Sequence, residues 1–302
     1  SLIAHEIITN QVFFHKVDNP LSLDSIKKIN LYIQNKYNKN IDISTFTCGA
    51  ASEWPQCFIN LDRNKLKNEF IDSSIKKLLD EIKILNCKYA FLSGGGYVIP
   101  GKFFNLNKLK AVPLISQIDK EINEQTNTTL LKIDGGHSFD LDNPTDTSHN
   151  NNFEEITKVD MKKLKAMKYF HETQNTSLSH ENIKKSFNRA QISIEKRFNF
   201  LKIKPETKLR FLTYENLQIN FKGEKINKNF KNEYILFENY KNINPLLTIH
   251  LDEQALISVL SGKVILKQLL SGSCALQERT PDLFFPGTIF PLAFFKDPIF
   301  YK

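Results

Sequence analysis

Tryptophan is almost missing from this chain of 302 residues, which has one, and methionine occurs twice. Cysteine occurs four times, at Cys48, Cys57, Cys87 and Cys274, and no two form a Cys-x-x-Cys pair. That spacing excludes a thiolate zinc site, and four cysteines are too sparse for a disulfide scaffold, so reduced thiols are expected. No His-Glu-x-x-His segment occurs, and no internal repeat is visible. No apolar run reaches the roughly 18 residues of a transmembrane span, and no signal-peptide pattern opens the sequence.

What is present is phenylalanine (24), asparagine (30) and lysine. Asparagine and lysine occur side by side, as in Asn35-Lys36-Tyr37-Asn38-Lys39-Asn40, the bias of an AT-rich gene. The net charge of +8 favours anionic partners, such as an acidic protein or a lipid headgroup. The basic pairs Lys27-Lys28, Lys76-Lys77, Lys162-Lys163 and Lys184-Lys185 fall in helix-like segments and suit solvated faces. No dedicated nucleic-acid site is expected.

The periodicity predicts helices over 3–14, 22–36, 64–85, 105–118 (kinked at Pro113), 159–173 and 179–201, with Ser22 or Asp24 and Ser179 as N-caps. Strands are expected over 41–47 and 89–92, with a further one at 56–61. Residues 97–99 would resume the second strand after Ser93-Gly94-Gly95-Gly96. After Pro205 the runs LRFLTYENLQINF, EYILFENY, LLTIHL, ALISVL and KVILKQLL read mostly as strands. The aromatic end, LFFPGTIFPLAFF, must pack on something. The expectation is an α+β fold, with a helix-rich domain over 1–204 and a mainly β region over 205–302.

Residues 129–142 read TLLKIDGGHSFDLD. Either Asp134-Gly135-Gly136 is the turn of a β-hairpin, or Asp134 is a carboxylate at a strand end, free to reach a metal ion past two glycines. Asp119 and Asn123 precede it, in the order helix, Asp-x-x-x-Asn loop, strand, Asp-Gly.

The KIDGGHSF segment resembles the metal-binding segment of atypical kinases, the phosphoinositide 3-/4-kinase and HipA-like group and the kinase-like effectors of intracellular bacteria. The resemblance covers about 11 residues closely and 6–201 loosely. It implies a kinase C-lobe for the helix-rich part and an active or degenerate phosphotransferase that moves the γ-phosphoryl group of ATP to a protein or lipid headgroup. It implies Mg²⁺ on Asp134 and Asn123, Asp119 as the catalytic acid, and Glu6 as the partner of the ATP-binding lysine. It also implies a virulence effector, cytoplasmic or secreted into a host cytosol. The chain departs from the pattern in spacing Asp119 and Asn123 by four with no histidine between them, in Gly135, and in lacking an early Gly-rich phosphate loop.

Two other readings stand beside it. Cys48, in FTCGAASEW, is similar to the nucleophile of papain-like thiol hydrolases, with His137 as base and Asp140, Asp142 or Asn152 to orient it. The other is a non-enzymatic scaffold whose β-rich end offers a partner surface. His250, in LLTIHLDEQ, reads as a half-buried strand residue. Gln277-Glu278 resembles the acidic ending of mono-ADP-ribosyltransferases, which would pair with Arg210, though a Ser-Thr-Ser segment is absent.

Overall fold

A computed structural model describes residues 1–16, 20–50, 52–94, 97–132, 140–141, 161–174 and 178–301. The class is α+β, as expected. The chain forms two compact units that interleave in sequence: 1–51, 66–97 and 111–161 make the first, and 52–65, 98–110 and 162–302 the second. The sequential division at 204/205 is therefore not the one adopted. One reason is local. Phe58 pairs with Gln277 in a parallel bridge, which draws the 52–65 segment into the second unit.

The first unit holds a sheet in the order β1 (Leu2–Glu6), β2 (Gln11–His15), β3 (Ile43–Phe46), β4 (Tyr89–Leu92), β5 (Thr129–Leu131). β1 and β2 are an antiparallel hairpin, and β2 to β5 all run parallel. Parallel neighbours need crossovers, and three helices supply them: α1 (Leu23–Tyr37), α2 (Arg63–Leu85) and α3 (Ile115–Gln125). Ser22 caps α1 by accepting from Ser25 N–H. Asn38 closes α1 in the left-handed conformation that asparagine tolerates. The face of α2 that enters the core is Ile71, Ile75, Leu78, Leu79, Ile82 and Leu85. On the sheet, Phe14, Ser44, Ala90 and Leu130 form one buried row across four strands.

Two helices expected here are not formed as read. Residues 3–14 are the β1–β2 hairpin. Ile3 and Ile7 match a helical period by chance, while β-branched and aromatic residues favour strands and Asn10 turns the chain at φ 54°. Pro113 does not kink a helix over 105–118. A 3-10 segment runs over Gly101–Leu109, the chain is extended at Lys110, and α3 starts afresh at Ile115.

Among the described residues, one ion pair of this unit is fully buried. Lys16, just after β2, meets Glu81 of α2 at 2.6 Å, with side chains 5% and 2% exposed. The second oxygen of Glu81 has no hydrogen-bond partner.

The second unit is built on a sheet in the order β7 (Asn232–Leu236), β6 (Lys208–Tyr214), β8 (Leu246–Asp252), β9 (Leu276–Thr280). β6 and β8 are parallel, and both outer pairs are antiparallel. The short α4 (Met161–Ala166) is followed by a 3-10 turn at Phe170–Thr173 and by α5 (His180–Leu201), capped by Ser179. ALISVL and KVILKQLL, expected as strands, are α6 (Glu253–Leu260) and α7 (Leu266–Ser271). A short run that is mostly apolar has no period to distinguish the two, and every residue of α6 except Gln254 is buried.

The apolar side of the sheet carries Leu209, Phe211, Leu247, Ile249 and Leu251 against Ile183, Phe187, Ile194 and Phe198 of α5. The aromatic end does pack, through α8 (Pro286–Ile289) and the segment after it. Leu292 and Phe295 are in the core, with Phe295 against Phe187 and Phe211. The fully buried Asp297 then ties this end to α5, accepting from Ser186 at 2.7 Å and from Arg189 Nη2 at 2.6 Å.

Removing one partner of a buried ion pair strands the other charge. Glu81→Ala is expected to cost about 3–5 kcal/mol in urea unfolding, and Lys16→Met with Glu81→Leu to recover most of it. A cost below about 1 kcal/mol for Glu81→Ala would mean that the pair is solvated.

Candidate active site

Strand β8 reads LLTIHLD, and alternation splits it in two. Leu247, Ile249 and Leu251 face the core, while Thr248, His250 and Asp252 share the opposite side. The neighbouring strands follow the same alternation. Arg210 of β6, Thr248 of β8 and Glu278 of β9 form one row in register, and Tyr214 pairs with Asp252 at the end of the sheet. One side of this sheet is therefore a polar surface.

His250 is the centre of a hydrogen-bonded chain. Its Nε2 lies 2.7 Å from Glu278 Oε1, and its Nδ1 lies 2.9 Å from the Tyr214 hydroxyl. An ionised carboxylate only accepts, so Nε2 carries the proton, and Nδ1 accepts from Tyr214. Lys225 Nζ is 3.2 Å from the Tyr214 oxygen. Burial, together with the Lys225 ammonium, pushes the His250 imidazole down to about 4 against the pull of Glu278. Burial and the Glu278 carboxylate push the Tyr214 phenol up to about 12. His250 is fully buried rather than half-buried, because the edge strand β9 and its glutamate cover it. Glu278 and Arg210 are the open ends of the arrangement, with side chains 35% and 36% exposed. Arg210 donates to Thr248 Oγ1 at 3.0 Å, which fixes its guanidinium across the row.

Compared with protein-family models, curated proteins and solved structures, the chain matches none.

A second cluster borders this one at Asp252. Lys102 bonds the Asp252 carboxylate and meets Glu172 Oε1 at 2.9 Å, and His171 Nε2 stands 3.5 Å from Asp252 Oδ2. Tyr169 stacks on the His171 ring at 5.6 Å between centroids.

Of the residues expected from sequence, Asp119 and Asn123 are in contact among the described residues. Asp134 and His137 lie outside them, as do Asp142, Asn152 and the turn at Gly135-Gly136. β5, which opens TLLKIDGGHSFDLD, pairs with β4 in parallel. Glu6 is not on a helix. It ends β1, and its carboxylate accepts from Ile8 N–H and from the Thr9 amide and hydroxyl, which hold it below the usual carboxylate range. Asp119 and Asn123 sit one turn apart on α3 instead of in a loop. Asn123 donates to Asp119 at 3.3 Å, and Lys132 meets Asp119 at 2.6 Å. The Asp119 carboxylate is held by the Lys132 ammonium.

Cys48 is 6% exposed, and burial with the Glu81 carboxylate pushes its thiol up to about 12. A nucleophilic cysteine needs the opposite, an electropositive and open setting. Cys87 and Cys274 are also pushed up to about 12, chiefly by burial, and Cys57 higher still.

The sequence singled out His250, and Arg210 with Glu278, but not the chain that joins them, because its members come from separate strands. One signal was available. Thr248, His250 and Asp252 alternate with leucine and isoleucine, which marks a polar strand face.

Iodoacetamide is expected to label Cys48 no faster than Cys87 at pH 7.5. Both rates should still rise about tenfold per pH unit at pH 9, since neither thiol titrates until about 12. Fast, selective labelling of Cys48 near pH 7, followed by mass spectrometry, would instead show an activated thiol.

Proposed function

We propose that the second unit is a catalytic unit performing general-base chemistry on an anionic substrate, with Glu278 as the base. The supporting observation is the row Arg210–Thr248–Glu278, with His250 bonded behind Glu278 and Tyr214 behind His250. Arg210 binds the anionic group of the substrate in the planar two-point manner that guanidinium suits, and Lys225 adds a second positive charge. Glu278, half-open to solvent, takes a proton from the substrate or from a water. His250 and Tyr214 are positioning residues: the imidazole N–H fixes one carboxylate oxygen, and the phenol fixes the imidazole. This places the reaction among hydrolytic or group-transfer steps on phosphate- or carboxylate-bearing compounds, and it accords with the net charge of +8.

Chromogenic phosphomonoester, phosphodiester and carboxylate-bearing ester probes test it. Wild type should turn over at least one of them. Glu278→Gln should lower kcat about 100-fold or more with KM little changed, and Arg210→Met should mainly raise KM. Tyr214→Phe should be milder. No turnover of any probe, or full activity in Glu278→Gln with unchanged circular dichroism, refutes the reading.

A second proposal, ATP-dependent phosphotransfer in the first unit, is favoured by one observation. In an open parallel sheet, ligands bind beyond the carboxyl ends of the strands. β3 and β4 run on into Cys48-Gly49 and Ser93-Gly94, and the chain after β5 continues through Lys132 to Asp134-Gly135-Gly136. Kinase-like chemistry would use Asp134, Asp119 and Asn123 there. A thermal-shift titration with ATP and Mg²⁺ discriminates. Saturation at 100 times Kd adds about 2.7 kcal/mol of stability. A shift that needs Mg²⁺ and is lost in Asp134→Ala supports this proposal, and an absent shift removes it.

A further inference from the structure

The Lys102 cluster is organised in a way that an ordinary ion pair does not require. Each of its carboxylates has one oxygen anchored by a backbone amide. Asp252 Oδ1 accepts from Leu217 N–H at 2.6 Å, and Glu172 Oε2 accepts from Tyr169 N–H at 2.9 Å. The other oxygens, Asp252 Oδ2 and Glu172 Oε1, converge on one point. His171 adds an independent observation. It is 3% exposed, and its Nε2 makes no well-formed hydrogen bond; it is aimed at the same point, with Asp252 Oδ2 3.5 Å away as a loose partner. A buried ring nitrogen without a well-formed hydrogen bond is costly, and a neutral imidazole with such a nitrogen is a ready ligand. One donor atom from each of His171, Glu172 and Asp252 lies within 4.8 Å of the others. Bonds of about 2.0–2.2 Å at a tetrahedral angle hold donor atoms roughly 3.4 Å apart, so the three side chains draw inward when an ion binds.

We propose that His171, Glu172 and Asp252 bind a divalent transition-metal ion, and that Lys102 is its built-in competitor. One imidazole and two carboxylates suit Zn²⁺ or Mn²⁺, leaving coordination positions for water or substrate. The anchored oxygens supply the outer hydrogen bonds that orient metal ligands. The Lys102 ammonium bridges the same two oxygens that the metal would bridge, so it marks the point where positive charge is held. When the ion enters, Lys102 swings off, and Asn216 Oδ1, 3.5 Å from its Nζ, is the neighbouring acceptor. The inference goes beyond the general-base reading and shares no residue with it. Loss of turnover would leave the metal site standing.

The test is calorimetric titration of the full chain with Zn²⁺ alone, and separately with Mn²⁺, for wild type, Lys102→Met and His171→Gln. Lys102→Met should bind one ion per chain at least tenfold more tightly than wild type, because the competing ammonium is gone. This is a gain that misfolding cannot produce. His171→Gln, checked for native circular dichroism, should bind at least tenfold more weakly. A Co²⁺ absorption band that is present in Lys102→Met and absent when His171→Gln is added would place the imidazole on the ion. Equal affinity in wild type and Lys102→Met, or Zn²⁺ binding indifferent to His171→Gln, overturns the proposal and leaves a structural lysine–carboxylate network.

Discussion

The second unit depends on β8, a strand that is buried on both sides but is apolar on only one. Leu247, Ile249 and Leu251 contribute ordinary hydrophobic burial. Thr248, His250 and Asp252 are buried as well, and a buried polar group without partners is destabilising. Each therefore recruits a neighbour: Arg210 for Thr248, Glu278 and Tyr214 for His250, Lys102 and Leu217 N–H for Asp252. Those recruits come from three separate stretches of chain, 210–217, Glu278 and Lys102. The requirement to satisfy three side chains of one strand assembles the polar surface that is read here as a site.

The first unit solves a similar problem once. Its parallel sheet is covered by an apolar helix face, and the Lys16–Glu81 pair is the charged exception. Both units thus hold an ammonium against buried carboxylate, but in different ways. Lys16 meets one glutamate whose other oxygen is left unpartnered. Lys102 meets two carboxylates that are each tethered from behind, with an imidazole nitrogen pointing in. Only the second arrangement presents a set of donors to a shared point, and only there does an exchange of lysine for a metal ion follow from the geometry.

The kinase-like resemblance and the site in the second unit concern different parts of the chain. Of the residues that carried the resemblance, Glu6 ends β1, Asp119 and Asn123 lie on α3, and Asp134 lies outside the described residues. Asp119 and Asn123 lie four residues apart on α3. That is the spacing of neighbours on one helix face, and α3 uses it for a side-chain contact. Glu6 was placed on a helix by a period that β-branched residues and a left-handed Asn10 override.

By itself the sequence determined the elements with strong local signals. The helices at 23–37, 63–85 and 180–201 follow from periodic apolar faces and from Ser22 and Ser179, and the strands at 43–46, 89–92 and 246–252 from dense β-branched and apolar runs. It also determined the α+β class and the need for the aromatic end to be covered. Tertiary structure decided what local signals leave open. Whether ALISVL is strand or helix depends on its being buried on every side. Which stretches belong to which unit depends on pairings such as Phe58 with Gln277, made across more than 200 residues of sequence. The His250–Glu278 and Asp252–Lys102–Glu172 contacts were decided there too. A contact between distant elements leaves no spacing in the sequence; it exists only once the strands are in register.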